Sequence, residues 1–471
     1  MISGELCAEK VIWKMSKKKI MLILLAAMAM PATHAEPRVL SLEECREMAV
    51  ENNKELRAKE MQQQAAAYAR KSAFTSYLPK VSATGIYMHT GKELSLLSDE
   101  QKTTLSGLGD AVGMPALNAA GQGLVDALRT DTRNMAGAAV MLTQPVYMGG
   151  KIRAYNNITR YAERIAADKR DLKLQELIVD MDETYWHIVA LASRKRLADS
   201  YLKLVETLDG DMQQMVAEGF ATTADGLSVK VKVNEARVAV IQVDNGIELM
   251  KMRLCELCGL PLDEDPELAD EHDDELPPAD DTMAETDAWE SRPELSALGT
   301  AVRISDEKVK IARAEFLPSV VLTGGYFASY PSVFNSFEKK MKGTWNVGVA
   351  VNVPLLTWGD RGYKVKAARA EAAAARLELD ETREKIELQV AQSRRKVREA
   401  RERYAASASS QAEADENLRY ATLGFKEGVV PVSSVLEAQT AWLSARSNMV
   451  SADIDLRLAH VYLKKSLGTI K

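Results

Sequence analysis

The side chains that could do chemistry in this chain are few, and the most suggestive are two cysteines. Cys255 and Cys258 have the Cys-x-x-Cys spacing of a thiol redox pair or of half a zinc site. A structural zinc site needs four ligands, and the sequence offers no second pair to complete it. Both cysteines lie late in a helical pattern, beside Leu254 and Leu257. The spacing therefore favours packing in a core over redox or metal chemistry.

The sequence also lacks a catalytic constellation. Its histidines beyond the N-terminal region are scattered, at His89, His187, His272 and His460. No serine elbow, phosphate-binding loop or carboxylate pair in a glycine-rich pocket accompanies them. The chain is slightly acidic, with a net charge of −6. We therefore expect no enzyme, no cofactor, no bound metal and no nucleic-acid partner.

The N-terminal region indicates export from the cytoplasm. Residues 17–35 begin with three lysines, continue with a short apolar core and end in small residues. This order is typical of a secretory signal peptide, and cleavage is predicted after Ala35. A membrane-anchor helix is the weaker alternative, because the apolar run is short for a bilayer crossing. It is the only long apolar run in the sequence, which excludes a polytopic helical membrane protein.

One short motif occurs twice and organises the rest of the chain. Strand-like residues run into Pro145, followed by an apolar pair and then Gly149 and Gly150; the second copy runs through Pro354 to Gly359. Proline has no N–H group, so we expect each proline to end a strand, and each glycine to allow a turn before a helix. The two prolines stand 209 positions apart, and most of the surrounding pattern recurs at that offset. The motif predicts a tandem repeat.

The repeat defines the predicted domains. Residues 36–260 form the first repeat and 292–471 the second, joined by an acidic linker, 261–291, that contains no lysine or arginine. Each repeat is predicted to run helix, strand, loop, strand, long helix, tip, returning helix. The first hairpin loop is the longer by 30 residues. Residues 93–133 lack a sustained period, and we expect them to form a long exposed loop.

Local signals predict where the helices begin and end. Ser41 and Glu44 form a capping box for a first helix that we expect to run to Tyr77. A longer helix is predicted from Lys151 to Ala217, with a length of about 100 Å. Gly219 is its expected C-cap, and Thr222 or Thr223 caps the helix that returns to Cys258.

The clearest strand covers residues 344–353. Trp345 and the valines that alternate with it fall on one face, and small or polar residues fall on the other. Its length and its apolar face suit a strand that crosses a bilayer, and a half-buried strand of a soluble sheet is the alternative. Four such strands are too few to close a barrel, and an open edge is unstable in lipid. The strands of several copies must therefore complete the wall, with the polar helices projecting into the periplasm.

These features resemble the TolC-type outer-membrane efflux proteins over essentially the whole mature chain. The residues that carry the resemblance are the Leu-Pro pairs before two strands, the two junctions and the two Glu-Gly tips, at 78–79, 317–318, 144–150, 353–359, 218–219 and 427–428. The resemblance implies a mainly α fold with a transmembrane β-barrel, in which three copies of four strands form a twelve-stranded barrel continued by an α-helical tunnel. It implies an outer-membrane channel that receives substrate from an inner-membrane pump through a periplasmic adaptor.

The resemblance also implies that the hairpin tips dock the adaptor. Every helical hairpin needs capped turns. The apolar side chains on these turns, which we expect to be exposed, support docking as an additional role. The tip residues are Gly219, Phe220, Ala221, Thr222 and Thr223 in the first repeat and Gly428, Val429, Val430, Pro431 and Val432 in the second.

Members of this family close the periplasmic entrance with a polar lock and a ring of aspartates. Asp225 matches the first aspartate of the lock, but Phe425 and Val430 stand where the family has a tyrosine and an arginine. Ser434 and Glu437 stand where the two ring aspartates would be. Phenylalanine and valine make no polar side-chain contact, so we expect closure to depend on helix packing and Glu437 to favour cations.

Two other readings use the same features. A periplasmic adaptor-like coiled-coil subunit also has long helical hairpins, but it would carry one hairpin flanked by small β-domains. A passive outer-membrane porin has the strands but lacks the helices. The doubled hairpins with paired strands favour the efflux channel.

Overall fold

A computed structural model describes residues 39–91, 94–95, 97–130, 132–271, 288–334 and 340–470. The predicted signal peptide, 1–35, lies outside the described residues, as does His272. Of the acidic linker, the structure describes 261–271 and 288–291. Within these ranges no helix is both long enough and apolar enough to cross a membrane.

Helices make up most of the described chain, and the predicted long helix and returning helix occur in both repeats. They are α1 (Leu42–Asn52), α2 (Lys54–Phe74), α3 (Asp99–Ser106), α4 (Leu108–Ala111), α5 (Ala116–Ala127), α6 (Lys151–Ala217), α7 (Thr223–Cys258), α8 (Pro293–Ala314), α9 (Asp360–Lys426) and α10 (Val432–Ser466). The long helices α6 and α9 each contain 67 residues, and α6 begins and ends at the predicted residues. Short 3₁₀ turns occupy Thr75–Tyr77 and Ala288–Ser291.

The strands form one larger sheet and two short pairs. They are β1 (Val39–Leu40), β2 (Lys80–His89), β3 (Leu94–Ser95), β4 (Arg129–Thr130), β5 (Asn134–Met148), β6 (Glu267–Leu268), β7 (Ser319–Tyr330) and β8 (Lys342–Asn352). The larger sheet has the order β2-β5-β7-β8, and each neighbouring pair is antiparallel. The β5–β7 pair joins the two sequence repeats, and β2 and β8 are the edges. The predicted pair of strands per repeat is confirmed.

The exposed apolar face predicted for the last strand is present in β8. Trp345 is 75% exposed, Val347 69% and Val349 63%. The whole of β8 and the whole of β2 are exposed in the single chain. A sheet that leaves such a face uncovered needs another surface, lipid or protein, against it.

The prediction that Pro145 ends its strand is wrong. Strand β5 continues to Met148, and its pairing with β7 shifts register between Pro145 and Tyr147. A proline lacks the N–H that a regular ladder needs, and a bulge at this point lets the strand continue without it. Pro354 does follow the end of β8.

The glycines of both junctions adopt the conformations predicted for them. Gly149 and Gly150 have φ of +62° and +87°, and Gly359 has φ of +88°. Space also restricts Gly149, because a Cβ atom there would lie 2.8 Å from the carbonyl oxygen of Ala314. Glycine permits both the left-handed turn and this close approach.

The first helix differs from the prediction, because it breaks at Asn53. Its start is as predicted: Glu44 N–H donates to Ser41 Oγ at 3.3 Å, and Ser41 N–H donates to Glu44 Oε2 at 2.9 Å. Asn53 then has extended backbone angles, and its Oδ1 accepts from the Leu56 N–H at 2.9 Å. Asparagine is a strong N-cap residue, so it begins a second helix where the apolar period alone predicts a continuous one.

The predicted long exposed loop at 93–133 is largely helical. Ser98 and Gln101 form a capping box that begins α3. Gly121 of α5 packs so closely on α3 that a Cβ atom there would lie 1.9 Å from the Leu105 carbonyl oxygen. These helices pack through small residues, and such a contact produces no apolar stripe in the sequence.

The chain divides into two compact units, which are described separately. Among the described residues, the first lies within 39–49, 181–271 and 409–454, and the second lies within 50–180, 288–408 and 455–470. Each unit contains segments of both repeats. The repeats therefore reflect duplication of the sequence, whereas the units reflect which segments pack together. In the second unit, one cluster packs α8, α9 and α10 through Leu295, Ile386, Val390, Val397, Leu463 and Leu467.

Candidate functional site

The first candidate site is the tip between α6 and α7, in the first unit. Gly219 has φ of +83°, and the Phe220 N–H donates to the Met215 carbonyl at 2.8 Å. Thr222 is the N-cap of α7, and its hydroxyl accepts from the Asp225 N–H at 3.2 Å. These bonds satisfy the backbone groups that both helix ends leave open, so the turn has a defined shape.

The second tip, between α9 and α10, repeats this geometry in the same unit. Gly428 has φ of +69°, and the Val429 N–H donates to the Gly424 carbonyl at 2.9 Å. The Ser434 N–H donates to the Pro431 carbonyl at 3.1 Å. The two tips are therefore equivalent in backbone as well as in sequence position.

The apolar side chains at the tips are not equally exposed. Phe220 is 77% exposed and Val429 is 80% exposed, as the docking prediction requires. Val430 is half-buried, and a methyl group of its side chain lies over Gly424. Val432 is only 9% exposed, so the expectation that it is a surface residue is wrong. As the first residue of α10, it points into a core below the turn.

That core packs both hairpins of the first unit together. It contains Leu208, Met212, Val229, Val432 and Val435. Phe425 and Ala221 are partly buried against it. Phe425, at the position where the resemblance implies a tyrosine, therefore contributes packing at this end of the helices.

The carboxylate of Asp225 is used within its own helix. Its Oδ2 accepts from the Thr222 hydroxyl at 2.6 Å and from the Thr222 N–H at 3.2 Å. The side-chain hydrogen bond from Thr222, followed by the backbone one, lowers the pKa of Asp225 below its usual value. Of the other predicted gate residues, Ser434 is half-buried and Glu437 is exposed.

The three cysteines of the described chain are buried thiols in the first unit. Cys255 Sγ lies 3.4 Å from the Glu264 carbonyl oxygen, and Cys258 Sγ lies 3.8 Å from the Cys45 carbonyl oxygen. Burial raises the pKa of Cys255, which disfavours the reactive thiolate. Within the described ranges, no three of the His, Cys, Asp and Glu side chains are placed to hold a metal ion. That this protein binds none remains a prediction.

Sequence reasoning missed a set of buried polar contacts in the first unit. Arg46 makes two hydrogen bonds of 2.7 Å to the two oxygens of Asp182, whose side chain is 3% exposed. The Tyr185 hydroxyl donates to Asp270 Oδ2 at 2.5 Å, and burial raises the pKa of Tyr185. The available signal was an aspartate inside an otherwise apolar helical stripe, since a buried carboxylate requires a partner.

Comparisons with known proteins agree with this architecture. The family model for the outer membrane efflux protein matches residues 46–260 and 286–469, which is most of the chain. The chain is similar to the outer membrane efflux protein BepC of Brucella suis biovar 1, with 22% identity over 342 residues that cover 72% of this chain and 73% of BepC. It is also similar to the alkaline protease secretion protein AprF of Pseudomonas aeruginosa, with 25% identity over 256 residues that cover 52% and 51% of the two chains.

Among solved structures, the chain resembles the outer membrane protein VceC of Vibrio cholerae. The TM-score is 0.73, with 16% identity over 91% of this chain and 96% of that one. At this identity the likeness establishes the fold, and the family match establishes the relationship. The chain belongs to the outer membrane efflux protein family and is an outer-membrane channel of a tripartite efflux or export system.

Proposed function

We propose that three copies of this chain assemble into the channel. The observation that carries this proposal is the four-stranded sheet with an exposed apolar face, whose edge strands β2 and β8 have no outer partner among the described residues. Such a sheet is stable in a bilayer only if further strands close it into a barrel. The assembly predicts a heat-resistant trimer in outer-membrane extracts analysed by electrophoresis in detergent. A monomer recovered from the soluble fraction would contradict it.

The same proposal includes the domain organisation predicted from the sequence. Residues 1–35 act as a signal peptide, 36–260 and 292–471 are the two repeats, and 261–291 joins them. Outer-membrane lipid then surrounds the strands, and the helices extend into the periplasm. N-terminal sequencing of the mature protein tests the cleavage site: Glu36 is the expected first residue.

The tips are the proposed docking site for the periplasmic adaptor, through which the inner-membrane pump delivers its substrate. Phe220 and Val429 support this role, because each is a large apolar side chain at the summit of a well-bonded turn. Isolated exposed apolar residues are common, but two at equivalent turns of a repeat form a patterned surface.

Phe220→Asp tests the docking role without disturbing the turn, whose hydrogen bonds come from the backbone. We expect the variant to form normal trimers, to lose co-purification with the adaptor after cross-linking, and to lose export. Phe220→Leu is the matched control and should retain both. If Phe220→Asp recovers as much adaptor as the wild type, the tip is a structural turn only.

A further inference from the structure

The two edges of the sheet expose matching apolar segments at the same end. Because the strands alternate in direction, β8 ends beside the end at which β2 begins. Directly after β8, Leu355 is 90% exposed and Trp358 is 89% exposed. Directly before β2, Phe74 is 58% exposed and Leu78 is 48% exposed. Neither segment covers the other within one chain, because they lie at opposite edges.

Trp358 also has an unusual backbone. Its φ is +49°, and in the described part of the chain it is the only residue other than glycine with a positive φ. The left-handed region is unfavourable for a bulky side chain, and surrounding structure normally has to hold a residue there. In the single chain, the Asp360 N–H donates to the Thr357 carbonyl at 3.0 Å and closes a turn around Trp358 and Gly359, while the Trp358 side chain itself is almost fully exposed.

The internal repeat supplies a template for what covers Trp358. At the offset of 209 residues, Trp358 is equivalent to Gly149, which has φ of +62°. Gly149 follows β5 and abuts the turn before β7: a Cβ atom on it would lie 2.8 Å from the Ala314 carbonyl oxygen and 2.9 Å from Leu317 Cβ. The end of the second strand of the first repeat thus contacts the turn before the first strand of the second repeat.

The same relation should recur between copies. The turn before β7 is equivalent to the turn before β2 at an offset of 239 residues, so that Leu317 corresponds to Leu78. When β8 of one copy pairs with β2 of the next, Trp358 reaches the position opposite Leu78. Gly149 approaches the turn before β7 so closely that no side chain fits between them. At the equivalent contact between copies, Trp358 requires a wider gap, which its indole fills.

We propose that the Trp358 indole docks on the turn of residues 74–78 of the adjacent copy, forming an apolar seam between subunits at the strand–helix junction. The occupant of this surface is a second copy of this chain. The inference rests on the proposed assembly and adds the residues and register of one contact. In the β5–β7 pair, Val140 stands opposite Tyr326. The offsets transfer that pair to Val349 of one copy and Tyr87 of the next.

Paired cysteines test the seam in the full-length protein in outer membranes. With an oxidant such as copper phenanthroline, Trp358→Cys combined with Leu78→Cys should give disulfide-linked dimers and trimers, which reducing agent dissolves. Val349→Cys combined with Tyr87→Cys should do the same, because directly opposite residues are within disulfide range. Each single variant should remain unlinked, since the native thiols among the described residues, those of Cys45, Cys255 and Cys258, are buried.

The direction in which trimer stability changes in a second variant provides an independent test. Trp358→Gly restores the residue of the first repeat and relieves the backbone, so a surface role for Trp358 predicts equal or higher stability. The seam predicts that the temperature at which the trimer dissociates in detergent falls below the wild-type value. Trp358→Phe is the control and should keep most of the wild-type value.

The outcomes separate the seam from the assembly. If the strand pair cross-links and the Trp358–Leu78 pair does not, the channel assembles but the seam is wrong. If neither pair cross-links and no trimer forms, the proposed assembly fails. Brominated lipids quench the fluorescence of tryptophans that contact them. If they quench an emission in the wild type that is absent from Trp358→Phe, the Trp358 indole faces lipid and the inference is overturned.

Discussion

At the scale of single residues, the first unit contains a bidentate ion pair between Arg46 and the buried Asp182. Its two bonds of 2.7 Å join residues that are 136 positions apart. Asp182 is buried, while Arg46 is one-third exposed. Removing the cation therefore leaves a carboxylate that water reaches poorly.

We predict that Arg46→Met lowers the free energy of unfolding by about 3 kcal/mol, the low end for one partner of a buried pair, because Asp182 keeps further interactions. Thermal unfolding of the detergent-purified protein measures the loss. Arg237→Met is the matched control: its pair with Glu206 is exposed at both ends and should contribute less than about 1 kcal/mol. Equal losses in the two variants would contradict the argument.

Glu294 supplies a residue-scale prediction of pH dependence in the second unit. Burial raises its pKa, but the hydrogen bonds from Arg292, at 2.5 and 3.3 Å, a backbone hydrogen bond and the charges of Arg292 and Lys465 together outweigh burial, and the pKa is lowered from 4.5. A carboxyl whose pKa is depressed on folding stabilises the fold above its unfolded pKa. That contribution is lost as the pH falls from about 4.5 through the folded pKa.

We therefore expect the wild type to lose stability more steeply than Glu294→Gln between pH 6 and 3. At neutral pH the variant should be the less stable, because Arg292 is buried and loses its charged partner. Unfolding midpoints across this range give the measurement. Glu381→Gln, which removes an exposed pair with Lys385, should follow the wild-type slope. Parallel slopes for the wild type and Glu294→Gln would refute the assignment.

At the scale of elements, the packing at the tips supports the proposal that the entrance closes without the polar lock that the resemblance implies. Five buried apolar residues hold the helix ends of the first unit together, and Phe425 packs against them. Asp225 instead caps its own helix. Closure should therefore depend on the packing of these helices and not on charge pairs.

Two variants separate these mechanisms. Met212→Ala removes a side chain that is 1% exposed and should cost about 2–5 kcal/mol of packing, so we predict a clear rise in single-channel conductance in planar bilayers. Asp225→Ala should leave the conductance close to the wild-type value. Leu227→Ala, at a residue that is 60% exposed, controls for truncation alone. A strong rise in the single-channel conductance of Asp225→Ala would show instead that a charged contact of Asp225 closes the entrance.

The element boundaries also show which local signals can be read from the sequence. Helix α6, both tips and the left-handed glycines follow from caps and periodicity, which act over a few residues. The break at Asn53 was missed because the capping preference of a single residue was weighed against a long apolar periodicity that predicts a continuous helix. The bulge after Pro145 was missed because pairing with β7 decides whether a strand survives a proline.

At the scale of the whole molecule, ion selectivity is a property of the assembly. Glu437 is exposed and lies near the start of α10. Three copies would place a ring of carboxylates at the entrance, where it favours cations.

We predict that Glu437→Gln lowers the ratio of cation to anion permeability, measured from reversal potentials in a salt gradient. The conductance at high salt should change little, because salt screens the ring. Glu384→Gln, an exposed carboxylate of α9, is the control. Unchanged selectivity in Glu437→Gln would remove the ring from the mechanism.

The sequence by itself determined the duplication and the strand pair and long helical hairpin of each repeat, because these follow from local signals that recur along the chain. The resemblance carried by the same residues implied the family. Only the tertiary structure decided that Val432 is buried, that Asp225 caps its own helix and that Arg46 pairs with Asp182. These facts depend on which surfaces meet across many positions of the chain, and periodicity carries no information about that. Trp358 combines both kinds of information: the repeat identifies its counterpart, and the backbone shows that it keeps a glycine's conformation.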